Sequence, residues 1–172
     1  ASHIGDDMND AERDNIARAV AVAAIKFADL KNPRHVDYVF DLDAMTSFEG
    51  KTGPYMLYQA VRIQSILRKA NFNLALHSKL DLHICDETRP LGLLLCDFPN
   101  AVTMSIDQLS AHILSDYLYR VAQEFSAFYN RCHILSEENV DRRTAWLNLC
   151  AATYDTLTYG LSLMGIDVPD RM

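Results

Sequence analysis

The chain is predicted to fold as an all-α helical bundle, and three observations carry that prediction. Glycine and proline are sparse, 6 and 5 in 172 residues, so few positions force the backbone out of a helix. Apolar residues recur at three- and four-residue spacing over long stretches, which gathers them on one helical face. Caps and breakers fall where those stretches end.

The elements follow in order. Residues 9–29 carry Ile16, Val20, Ala23, Ala24 and Phe27, a helical stripe that the sequence KNPRH (31–35) interrupts. Tyr38–Phe40 reads as a short extended piece, and residues 41–53 read as a loop. Thr52 then caps a second helix with Pro54 in its first turn, predicted to run to about Leu76. Residues 78–85 are a connection. A short helix is predicted over 87–97 despite Pro90 and Gly92, and another opens at Pro99 and ends near Asp107. Residues 108–131 are strongly periodic through Leu109, Ile113, Leu114, Tyr117, Leu118, Val121, Phe125 and Phe128. Ser136 is the predicted cap of the last helix, with Glu137 and Glu138 suited to its positive end. That helix is predicted to stop at Gly165, followed by Pro169.

Composition narrows the function. The chain is 49% hydrophobic, enough for a sizeable core in one domain. Its apolar runs, such as Leu91 to Cys96, broken by Gly92, are far short of the ~20 residues of a membrane span. No secretory signal is evident, so a cytoplasmic protein is expected. Cys85, Cys96, Cys132 and Cys150 form no C-x-x-C pair and read as reduced thiols. His83, Cys85, Cys132 and His133 lack the spacing of zinc modules, so no metal site is predicted. Cys132 and His133 are sequence neighbours whose side chains diverge, which argues against a thiol nucleophile with its base. Asp41, Asp43 and Glu49 read as turn and cap residues rather than a catalytic acid pair. No catalytic residue is predicted.

One stretch, MTSFEGKTGPYMLYQAVRIQSILRK (45–69), is more specific than the rest. Tyr55, Tyr58 and Arg62 stand at i, i+3 and i+7 and share a helical face. Two rings and a guanidinium so placed suit unstacked RNA bases and their phosphates. They equally suit half-buried packing. A net charge of −7 counts against phosphate contact. The charge is segregated, however: Lys51, Arg62, Arg68 and Lys69 cluster at this stretch, and acids crowd the first fifteen residues.

The stretch resembles arginyl-tRNA synthetases, where a turn enters the C-terminal, DALR-type anticodon-binding domain. The family pattern is close to M-L-S-F-E-G-N-T-x-P-Y-L-Q-Y-A-x-x-R-I-x-S-I-x-R-K. Met45, Ser47, Phe48, Glu49, Gly50, Thr52, Pro54, Tyr55, Tyr58, Arg62, Ile63, Ser65, Ile66, Arg68 and Lys69 match it. Thr46, Lys51, Leu57 and Gln59 depart from it. The resemblance extends upstream through IARAVAVAAIKFADLKNPRHVDYVFDLDAM (16–45), where Leu42 and Ala44 replace a tryptophan and an arginine. It extends downstream through DYLYRVAQEFSAFYNRCHIL (116–135) to LSLMGIDVPDRM (161–172). Met172 is therefore expected to be the natural C-terminus. Residues 1–8 match nothing and are read as partly a foreign extension.

What the resemblance implies is specific. The whole enzyme joins arginine to its tRNA with ATP and Mg²⁺, whereas this part needs no cofactor and is expected to be inactive alone. The two class I signatures, HIGH and KMSKS, are missing; His3-Ile4-Gly5 is followed by Asp6 and has no room for a preceding strand. Residues 46–172 are expected to form the helical anticodon-binding domain, and residues 1–45 to dock on the catalytic domain. Arginine tRNA is the expected partner. Tyr55, Tyr58, Arg62, Tyr129 and Met172 are the expected anticodon contacts. Ser47, Phe48, Glu49, Gly50, Lys51, Thr52 and Gly53 are expected to form a tRNA-contacting loop. A freed docking face is expected to favour self-association. The competing reading is a free-standing helical module that binds protein and no RNA.

Overall fold

The computed structural model describes residues 8–72 and 85–172. Most of the N-terminal extension lies outside the described residues. So do the expected end of the second helix at 73–76 and most of the 78–85 connection. Among the described residues there are seven α-helices, one 3-10 turn and no strand. The helices are α1 (Asp10–Leu30), α2 (Leu42–Thr46), α3 (Gly53–Lys69), α4 (Arg89–Cys96), α5 (Phe98–Asp107), α6 (His112–Arg131) and α7 (Val140–Leu163).

Local chemistry sets each boundary. Asn9 and Glu12 form a reciprocal capping box at the start of α1. Residues 41–46 were expected to be loop, but Asp41 accepts the Ala44 N–H at 3.1 Å and starts the short α2. The predicted second helix ends early, at Lys69. Asn71 adopts a left-handed φ of 50°, the Phe72 N–H bonds the Leu67 carbonyl, and the Asn71 N–H bonds the Arg68 carbonyl. That pair of bonds closes a Schellman turn, which asparagine accepts more readily than most residues. The predicted 108–131 helix begins only at His112, because Leu109 ends α5 in the same way at φ 48°. Ser136 does not cap the last helix. It lies in the 3-10 turn Ile134–Ser136, and Asn139 caps α7 by accepting the Arg142 N–H at 2.9 Å. Gly165 closes α7 with a third Schellman turn, seating Ile166 against Leu161 in the core.

α3 is the central element and packs against α1, α6 and α7. Phe27 of α1, Met56, Leu57, Ile63 and Leu67 of α3, Leu118, Phe125 and Phe128 of α6, and Leu149 and Leu157 of α7 are fully buried together. Each such side chain contributes about 1.5–3 kcal/mol by leaving water. Trp146 meets Phe128 edge-on at 6.3 Å. Burial pushes the Cys150 thiol well above its usual range, so it serves as a small core residue. Because α3 is enclosed on most sides, only a narrow strip of it and Arg68 in its last turn reach solvent, and the candidate site lies on that strip.

Candidate nucleic-acid interface

The solvent-facing strip of α3 carries Tyr55, Tyr58, Arg62, Ser65 and Lys69. At about 100° per residue these five fall within roughly 80° of one another. Tyr58 is 44% exposed and Lys69 is exposed, while Tyr55, Arg62 and Ser65 are half-buried. Next to Tyr58 in sequence, Gln59 is almost fully buried, and its Oε1 has no hydrogen-bond partner among the described residues.

The half-buried members are held from α6. The Tyr55 ring meets Tyr119 at 5.7 Å, nearly edge-on. The Arg62 guanidinium carbon lies 4.3 Å from the centre of the Tyr129 ring, and Tyr129 is braced by Phe125 at 6.2 Å. Among the described residues no carboxylate pairs with Arg62. The structure therefore brings Tyr55, Tyr58, Arg62 and Tyr129 to one surface, with Arg62 resting on an aromatic platform and, among the described residues, free of a counter-carboxylate. Sequence reasoning missed Tyr119. Its position on the periodic segment was visible, but its contact with Tyr55 depends on how two helices pack.

The loop before α3 is ordered by its own side chains. Thr52 Oγ1 donates to the Ser47 carbonyl at 2.6 Å and accepts the Tyr55 N–H at 3.2 Å. Ser47 Oγ accepts the Glu49 N–H at 3.1 Å. Gly50 has φ 78° with open space around it, so its conformation calls for glycine. Gly53 is buried, and its reason is different: a Cβ there would sit 2.1 Å from the Ala23 carbonyl oxygen of α1. Its bare backbone admits α1 rather than a ligand. Phe48 is half exposed and Glu49 is exposed.

The cations expected to gather at this helix are divided among different partners. Lys51 pairs with Asp116 of α6. Lys31 donates to the Lys51 carbonyl at 3.0 Å; burial, and then the Lys51 charge, lower its pKa. Arg68 donates to the Asp170 carbonyl at 3.0 Å. Lys69 forms no ion pair among the described residues. Met172 packs, half-buried, against the core beyond Asp170. His83, of the sequence-level metal candidates, lies outside the described residues; among the described residues no three His, Cys, Asp or Glu side chains form a metal-binding group. No helix among them is long and apolar enough to cross a membrane.

A second surface follows the end of α1. Val36, Tyr38, Val39 and Phe40 of the α1–α2 connection and Leu42 at the start of α2 are 42–86% exposed, and Ile25 of α1 is 57% exposed. Contiguous apolar exposure of this kind marks a contact surface.

Comparison with known proteins places the fold in a family. The family profile of the DALR anticodon binding domain matches residues 56–172, beginning one residue after Tyr55. The arginine–tRNA ligase of Hyphomonas neptunium is 44% identical over the whole chain, and that of Proteus mirabilis is 42% identical over 96% of it. The chain spans about 29% of the length of each. Among solved structures, the arginyl-tRNA synthetase of Thermus thermophilus superposes with a TM-score of 0.86 at 32% identity, covering 96% of this chain and 28% of that one. The Plasmodium falciparum arginyl-tRNA synthetase gives 0.82 at 33% identity, covering 92% and 28%. The chain belongs to the DALR anticodon-binding domain family and corresponds to the C-terminal part of arginyl-tRNA synthetases.

Proposed function

We propose that this chain grips the anticodon loop of arginine tRNA through the open strip of α3 and its braces on α6. Tyr58 stacks on an unpaired base. Arg62, held over Tyr129, meets a base or its phosphate. Tyr55 and Met172 flank them, and residues 47–53 contact the RNA beside the helix through Ser47, Phe48, Glu49 and Gly50. Within that loop Thr52 and Gly53 act from below, by ordering the backbone. The observation that carries this reading is Arg62 poised on Tyr129, with no counter-carboxylate among the described residues, one turn from an exposed tyrosine. Base–aromatic stacking contributes roughly 1–3 kcal/mol per base, enough for useful grip without a strongly basic domain.

Residues 1–45 dock on the rest of the enzyme through the exposed apolar connection, and residues 46–172 are the RNA-facing domain. Arginine–tRNA ligation with ATP and Mg²⁺ resides in that remaining part, in the cytoplasm, so this chain alone is inactive. With the docking face uncovered, copies of the chain self-associate through it. Hydroxyl-radical footprinting of arginine tRNA on this chain tests the proposal. Protection confined to the anticodon arm is expected; protection of the acceptor end instead would overturn it.

A further inference from the structure

Beyond Gly165 the chain runs back across α1 and α3 and is fastened at three points. Lys26 of α1 donates to the Gly165 carbonyl. Arg171 pairs with Glu12 of α1 at 2.7 Å. Arg68, in the last turn of α3, donates to the Asp170 carbonyl at 3.0 Å. Ile166 is buried, and Val168 and Met172 rest half-buried on the core. Asp170 and Arg68 also act in opposite senses on the Tyr154 phenol, so the three groups lie together.

Arg68 stands six residues after Arg62, about 9 Å along the helix axis, and about 120° around it. It therefore points away from the open strip, toward the tail. Its bond is to a main-chain carbonyl two residues before Met172, which fixes the backbone that delivers that side chain.

We infer that Arg68 is a positioning residue: it holds Asp170 and so places Met172 beside the α3 strip, and it does not bind RNA phosphate itself. This rests on the proposed role of Met172 at the anticodon. Without the bond, the backbone at Asp170 loses one of its fastenings and Met172 is less firmly pre-placed.

A double-mutant cycle tests this on the 172-residue chain, with an arginine tRNA anticodon stem-loop as probe and fluorescence anisotropy over several salt concentrations. Arg68→Ala and Met172→Ala are each expected to weaken binding about two- to tenfold, the loss of one modest contact. The double variant is expected to be no weaker than Met172→Ala alone, with an unchanged salt slope. Arg68→Lys, which keeps a donor, restores part of the affinity. Additive losses with a salt slope smaller by about 1 would show a phosphate contact and overturn the inference. A silent Met172→Ala also overturns it. In that case a weakened Tyr58→Ala leaves the anticodon reading standing, and a silent Tyr58→Ala removes it as well. A readout without RNA runs beside these: the Met172 methyl resonance should move toward its unstructured position in Arg68→Ala and stay in Arg68→Lys. An unmoved resonance in Arg68→Ala counts against the inference.

Discussion

Gly53→Ala offers a direct test of how α1 and α3 fit together. The added Cβ would lie 2.1 Å from the Ala23 oxygen, 2.3 Å from its carbonyl carbon and 2.8 Å from the Ala24 nitrogen. Favourable contacts lie near ~3.5 Å, so the helices must separate by about 1 Å or more. The obstacle is helix backbone, which no rotamer change can move aside. Separation would loosen the packing of Phe27 on Met56 and Leu57, all fully buried. Overpacking of this kind costs roughly 1–3 kcal/mol and occasionally more. The gain of alanine over glycine in a helix, up to about 1 kcal/mol, offsets part of it. A net loss of about 2 kcal/mol is expected, which lowers the urea midpoint by roughly 1 M at a slope near 2 kcal/mol/M. Two controls calibrate it. Gly92→Ala, within α4 and with no described residue near its Cβ, should stabilise slightly. Gly50→Ala, in open space at φ 78°, should cost about 1 kcal/mol through backbone strain alone. If Gly53→Ala unfolds at the same urea concentration as the parent, the close approach of α1 to α3 is not as described.

Other predictions are as specific. Tyr58→Ala should weaken binding to arginine tRNA about ten- to a hundredfold while Tyr58→Phe stays within about threefold, because the ring stacks and the hydroxyl does not; anisotropy titration checks both, and a silent alanine variant refutes the placement. Gln59→Leu removes a buried amide oxygen that has no partner among the described residues, and should raise stability by about 1 kcal/mol in a thermal melt; a lower melting temperature would mean that oxygen is satisfied in solution. The Glu12 carboxylate accepts the Asn9 N–H and pairs with Arg171, which holds its pKa below the usual glutamate range. With a lowered folded pKa, its contribution is present above the unfolded carboxyl range and fades as pH falls through the folded value. A carbon-13 titration of Glu12 should show a depressed midpoint, and an ordinary one contradicts the capping box.

The start of α3 was legible because Thr52 and Pro54 are local signals, and the end of α7 because Gly165 is one. Its true start was marked too, by Asn139, but Ser136 three residues earlier offered the same chemistry. The early stop of α3 depended on Asn71 taking a left-handed conformation, which many asparagines never do. Leu109 doing so at the end of α5 carries no sequence signal, since leucine ordinarily avoids that region. At the site, the shared face of Tyr55, Tyr58 and Arg62 follows from helical spacing alone. That Arg62 rests on Tyr129, that Tyr55 meets Tyr119, and that Lys51 is paired with Asp116 depend on the approach of α6. Spacing within one helix cannot carry that information. The motif also drew Arg68 into a basic cluster, where the fold turns it toward the tail.

The central claim is that the α3 strip reads the anticodon. The measurement that tests it most directly is binding of this chain, at low salt, to arginine tRNA and to the same tRNA with its central anticodon cytosine replaced. Tighter binding of the unaltered tRNA, lost in Tyr58→Ala, is the predicted result. Equal binding of both RNAs, or a preference untouched by Tyr58→Ala, would contradict it.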